Sequence, residues 1–144
     1  MDVRQILQLL PHKPPFRLVD EVSLYIPGNK LEARFNPADY RDAFGGLDYV
    51  PIAILLEGLA QTGVLLTQLE TAPLEEHEFP MLGTVRADIH RPVMWPETLV
   101  FMVKPYRLLT KSAVLHGTIQ GSGGSPIAEA QLSVAVAKAE LEGE

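Results

Sequence analysis

Cysteine is missing from all 144 residues, and its absence rules out disulfides, thiolate catalysis and cysteine-ligated metals together. A cysteine-free chain is compatible with a reducing cytoplasm, where the protein is expected to reside. No run of Lys or Arg forms a basic stripe, and the net charge is −6, so neither nucleic acid nor an anionic membrane surface is an expected partner. The start, MDVRQILQLLPHK, has neither the charged head nor the small-residue cleavage site of a signal peptide. The four histidines, His12, His77, His90 and His116, show no ligand spacing, so no metal site is predicted. His12 reads as a capping or packing residue in a proline turn, and His77 as part of an acidic loop. No G-x-S-x-G elbow is present, and GSGGSP lacks the Lys-Ser/Thr of a phosphate loop. Nothing calls for a cofactor.

The composition that remains, 47% hydrophobic and 21% charged, is that of one globular domain spanning residues 1–144. VRQILQLL spaces Val3, Ile6, Leu7 and Leu10 as a short amphipathic helix, and PHKPP, with Pro11, Pro14 and Pro15, ends it. FRLVDEVSLYI (16–26) reads as a strand, PGN as its turn, and KLEARFN as a returning strand with Leu31, Ala33 and Phe35 inward. Pro51 suits the first turn of a helix running to about Leu69. That run is long enough to suggest a membrane span, but Glu57, Gln61, Thr62, Thr67 and Gln68 within it favour a core helix. TAPLEEHEFP (71–80) reads as a loop with a solvated acidic cluster. MLGTVRADI, TLVFMVKPY, KSAVLHGTIQ and PIAEAQLSVAVAK read as strands, the last two joined by GSGGS. The predicted class is α+β, with a curved, mainly antiparallel sheet wrapped round one long helix.

Glu57 is the conspicuous residue. Its helical neighbours are Ala53, Ile54, Ala60 and Gln61, and a carboxylate there is costly to ionise unless it is hydrogen-bonded. It is therefore either a structural hydrogen-bonder or a catalytic acid or base, and Gln61 at i+4 can orient it in both cases. The free amides at the helix start, around Ile52 and Ala53, can polarise a carbonyl oxygen.

Three segments, in order, resemble the hotdog-fold 3-hydroxyacyl-acyl-carrier-protein dehydratases. LLPHKPPFRLVDEV (9–22) is similar to the family's "LLPHR-PFLLVD", sharing Pro11, His12, Pro15, Phe16, Leu18, Val19 and Asp20. VPIAILLEGLAQTG resembles its "MPG…LEAMAQ" helix through Pro51, Leu56, Glu57, Ala60 and Gln61. ADIHRPVMWPETL resembles "FRRPVxPGDxL" through Arg91, Pro92, Val93, Pro96 and Leu99. The resemblance implies a hotdog fold, a dimer or larger homo-oligomer (a heteromer being the variant), and an acyl thioester on acyl carrier protein or coenzyme A as substrate. It implies Glu57 as the catalytic carboxylate, facing across a dimer interface a histidine of the other subunit from "FxGHFPGxPxMPG", eight residues before Pro51. That position is Ala43, in a register supported by Tyr40, Phe44 and Gly46. Asp42 replaces a Gly, Gly45 a Pro, and Ile52 the Gly at the helix start. Substrate contacts are thus expected from Ala43, Phe44, Gly46, Ile52 and Gln61. Losing a positioned base costs roughly 10²–10⁴ in rate. Three readings stay open: a dehydratase-like enzyme of fatty-acid or polyketide-type metabolism, with His90 or His116 as a stand-in base; a thioesterase using Glu57; and a non-catalytic acyl- or carrier-binding subunit.

Overall fold

A hairpin in the first half of the chain and four longer strands in the second half make a six-stranded antiparallel sheet. In the computed structural model, which describes residues 2–13, 16–71 and 74–139, the strands are β1 (Glu21–Ile26), β2 (Lys30–Phe35), β3 (Glu78–Ile89), β4 (Leu99–Leu109), β5 (Ser112–Gln120) and β6 (Pro126–Lys138). Their order across the sheet is β1-β2-β4-β5-β6-β3. A short helix, α1 (Val3–Ile6), continues as a 3-10 turn to Leu9, and the long helix α2 (Ile52–Glu70) lies against the sheet. This is the hotdog arrangement that the resemblance implies.

Period-two side chains of β2 and β4 supply the floor under α2. Leu31, Ala33, Phe35, Leu99, Phe101 and Val103 are all fully buried, and β2 and β4 pair Ala33 with Phe101 and Phe35 with Leu99. From α2 come Leu55, Leu59, Leu65 and Leu66, also buried. Each Leu, Val and Phe among them contributes about 1.5–3 kcal/mol by leaving water. The helix has the length and apolarity to cross a membrane, yet 67% of its most apolar window is buried inside the protein, as a core helix requires. Its interior hydroxyls are satisfied locally, Thr62 Oγ1 donating to the Gly58 carbonyl at 2.9 Å and Thr67 Oγ1 to that of Gly63 at 2.8 Å.

Several boundaries differ from expectation, each for a physical reason. The strand expected over 16–26 begins at Glu21, because the backbone of Phe16 and Leu18 is hydrogen-bonded by a side chain of α2 instead of by a neighbouring strand. Pro51 is the residue before the helix, with extended ψ of 139°, and its carbonyl accepts from the Ile54 amide at 3.0 Å. The loop expected over 71–80 gives up Glu78, Phe79 and Pro80 to β3. Its acidic cluster is not simply solvated: Glu78 accepts from Lys111 Nζ at 2.8 Å, and that bond holds its carboxyl below the ordinary carboxylate range. Expectations placed on Pro14, Pro15, Ala72 and Pro73 lie outside the described residues.

Close approach of helix to sheet depends on Gly58. A Cβ there would stand 2.5 Å from the Phe101 ring and 3.2 Å from the Leu18 carbonyl oxygen. Gly58→Ala should gain about 1 kcal/mol in helix propensity and lose about 1–3 kcal/mol to overpacking. The expected net result is a lower urea midpoint with an unchanged slope, read by far-ultraviolet circular dichroism.

Candidate active site

The site is built on the side chains that α2 turns toward the incoming N-terminal segment. Gln68 Nε2 donates to the Leu9 carbonyl at 2.6 Å, and two turns earlier Gln61 holds the chain again. Gln61 Oε1 accepts from the Leu18 amide at 2.7 Å, and its Nε2 donates to the Phe16 carbonyl at 2.8 Å. The segment between these clamps therefore runs back along the helix and carries His12 past Glu57. His12 Nε2 lies 3.8 Å from Glu57 Oε1, and Gln61 Nε2 reaches the same oxygen at 3.3 Å. Gln61 thus binds the strap and orients the carboxylate with one amide.

His12, Glu57, Ala43 and Phe44 line one cavity of about 530 Å³, together with the apolar side chains of Phe16, Leu18 and Ile54 and the ring of Tyr40. A smaller space of about 50 Å³ on the other side of His12 and Glu57 is bounded by Ala60, Gln61, Val64, Pro80, Leu82 and Val134. The pair therefore stands where the larger of these two cavities meets β3. Tyr40 Oη donates to the Arg17 carbonyl at 2.9 Å, and burial, followed by the charge of Asp20, raises its phenol above the ordinary value. On the far side of the loop the rings of Phe44 and Trp95 stack at 6.2 Å, and Trp95 Nε1 donates to the Leu47 carbonyl at 2.6 Å. Those contacts fix the loop that carries Ala43.

Of the residues expected at the site, Glu57, Ala43 and Phe44 share the larger cavity and Gln61 borders the smaller one. Gly46 and Ile52 stand outside both linings. Gly46 adopts a left-handed φ of 69° in the loop, and Ile52 is 51% exposed at the helix start. Within a single chain the Glu57 side chain is 44% exposed, near the end of α2 where Ile52 and Ala53 are exposed as well, while Ile54 and Leu55 between them are buried. One expectation is corrected. The imidazole within reach of Glu57, among the described residues, is His12 and neither His90 nor His116. His90 is exposed just past the end of β3, and His116 is exposed on β5 opposite Lys104 and Gln131. The signal for His12 was its place in LLPHKPPF beside residues that Gln61 binds, a contact across 45 positions for which local pattern gives no sign.

No ion-binding cluster of His, Asp and Glu occurs among the described residues. Arg91, matched in the third segment, is structural here. Its guanidinium bonds both carboxylate oxygens of Glu97, at 3.0 and 2.5 Å, and Ser125 Oγ at 2.6 Å, tying the loop before β4 to the turn before β6.

Gln61→Leu removes both strap bonds and leaves the buried Leu18 amide unpaired, which costs about 1–3 kcal/mol. Chemical denaturation should register that loss, and limited proteolysis should cut the 11–19 segment of the variant faster than that of the parent.

No family model matches the chain. It is 31% identical over 141 residues to the 3-hydroxyacyl-acyl-carrier-protein dehydratase FabZ of Oleidesulfovibrio alaskensis, spanning 94% of this chain and 91% of that protein. The FabZ of Paracidovorax citrulli is 32% identical over 139 residues, spanning 92% and 94%. That of Nitratidesulfovibrio vulgaris is 35% identical over 98 residues, and the match takes in 64% of its length. Among solved structures, a thioesterase from Haemophilus influenzae superposes with a TM-score of 0.71 at 17% identity, covering 100% of this chain and 96% of that one. The dehydratase heterocomplex ApeI:P from Xenorhabdus doucetiae gives 0.72 at 15% identity, covering 94% and 91%. At those identities the superpositions speak for the hotdog fold, while the curated relatives speak for descent: this chain belongs to the 3-hydroxyacyl-acyl-carrier-protein dehydratase family.

Proposed function

We propose that the protein interconverts 3-hydroxyacyl thioesters with 2-enoyl thioesters and water, as a single hotdog domain over residues 1–144. The observation that carries this reading is a carboxylate, Glu57, set with an imidazole at the wall of an otherwise apolar cavity of about 530 Å³. Apolar walls suit an acyl chain, and the two titratable groups suit proton transfer at its thioester end. The carrier in the names of the curated relatives, acyl carrier protein, is the expected handle, with coenzyme A as the other. The lack of cysteine fits work in a reducing cytoplasm.

The working unit in this reading is a dimer of identical chains. β3 is an edge strand, hydrogen-bonded to β6 on one side only. Along it Phe79, Met81, Leu82 and Ile89 are 36–50% exposed, an apolar stretch that Pro80, Arg86, Asp88 and the irregularity between Leu82 and Val85 interrupt only in part. Leu82 also borders the His12–Glu57 pair, so a second copy against β3 would close the site from that side. Replacing Phe79 and Met81 by Lys should convert a dimer to a monomer in light scattering, and activity should fall with it.

A second reading has its own support. The half-exposed carboxylate of Glu57 is open to water and could activate it against a thioester carbonyl. Two assays separate the readings: absorbance of a conjugated enoyl thioester reports hydration and dehydration, and release of free thiol reports hydrolysis. Silence in both, with retained binding of acyl carrier protein, would identify a non-catalytic subunit. Glu57→Gln should reduce turnover by roughly 10²–10⁴ with an unchanged unfolding midpoint; full turnover by this variant would remove Glu57 from the chemistry.

A further inference from the structure

The cavity contains a substitution and, on the same wall, an imidazole. Ala43, which stands where the family pattern has its imidazole, and His12 line the same cavity as Glu57. We infer that His12 is the general base of this site, taking over from within the N-terminal strap the proton-accepting role that position 43 has lost. The inference rests on the dehydratase reading above.

Three observations converge on His12. Its Nε2 is 3.8 Å from Glu57 Oε1, longer than a hydrogen bond, so the two groups stand side by side on the cavity wall and each is free to face a substrate lying along it. Its Nδ1 is buried and has no hydrogen-bond partner among the described residues, so Nε2 is the nitrogen that can meet a substrate. The strap itself is held at three points, by Gln68 on Leu9 and by Gln61 on Phe16 and Leu18, which fixes the approach of the ring to the cavity. The other titratable group facing this space from a packed element is Tyr40, whose hydroxyl is committed to the Arg17 carbonyl.

The reaction balances with these two groups. His12 Nε2 accepts the C2 proton of the 3-hydroxyacyl thioester, and the C2–H electron pair becomes the C2=C3 π bond. The C3–O bond breaks with its pair on oxygen, which takes the carboxyl proton of Glu57 and leaves as water. The imidazolium then returns its proton to the Glu57 carboxylate. Net products are the 2-enoyl thioester and water, with both side chains restored.

The test uses the full chain and a 3-hydroxyacyl thioester of N-acetylcysteamine. His12→Gln should lower kcat by roughly 10²–10³-fold while binding of the saturated acyl analogue is retained, and adding Ala43→His to that variant should restore at least about tenfold of the loss. A second measurement needs no variant. A 3-alkynoyl thioester, once its C2 proton is removed and returned to C4, becomes a 2,3-allenoyl thioester whose C3 bonds to a nearby nucleophilic nitrogen. Peptide mapping should find that adduct on His12. Wild-type turnover by His12→Gln, loss of analogue binding together with kcat, or an adduct on any other residue overturns the assignment of His12. Inactivity of the parent protein toward both hydroxyacyl and enoyl thioesters defeats the dehydratase reading itself, a result distinguishable from each of these.

Discussion

One amide side chain organises this molecule's chemistry. Gln61 is buried on α2, and its three polar contacts leave none of its heavy atoms idle: an acceptor for the Leu18 amide, and a donor to the Phe16 carbonyl and to Glu57. An uncharged amide can serve donor and acceptor at once, which neither a carboxylate nor an ammonium can do. The cost of burying it is met by those bonds, and the strap would otherwise have backbone groups facing an apolar helix. Residues 16–18 are thereby irregular in backbone yet fixed in position.

The sheet makes this possible by covering α2 unevenly. Middle and later turns are enclosed by β2, β4, β5 and β6, whereas the first turn stays open, and the strap and the 41–49 loop close around it in part. The acid is thus rooted on the core helix, just before its enclosed turns, while its carboxyl reaches the cavity. Tyr25 and Glu70 secure the other end of the helix. The Tyr25 hydroxyl and the Gly28 amide both donate to Glu70 Oε1 at 2.7 Å, so the β1–β2 turn is pinned to the last residue of α2.

Much of the architecture is legible because its physics is local. Leu31, Ala33 and Phe35 alternate as an inward strand face must, and PIAEAQLSVAVAK coincides with β6. Phe16 to Asp20 misled for an instructive reason: an extended segment of alternating polarity looks the same whether a strand or a glutamine side chain satisfies its backbone. The identity of the carboxylate was readable from its place on the helix, but its exposure was not, since that depends on how far the sheet reaches. The neighbour of Glu57 was unreadable by spacing, because His12 arrives through tertiary folding of a segment that belongs to no regular element.

That last feature bears on the way the protein opens. Among the described residues, the wall holding His12 is tied by the side chains of Gln61 and Gln68 and not by a ladder of inter-strand bonds, so its opening is a smaller event than unfolding of the sheet. On that ground the reactive geometry is expected to open at a lower cost than the sheet unfolds, with the sheet left as the template on which the strap can close again.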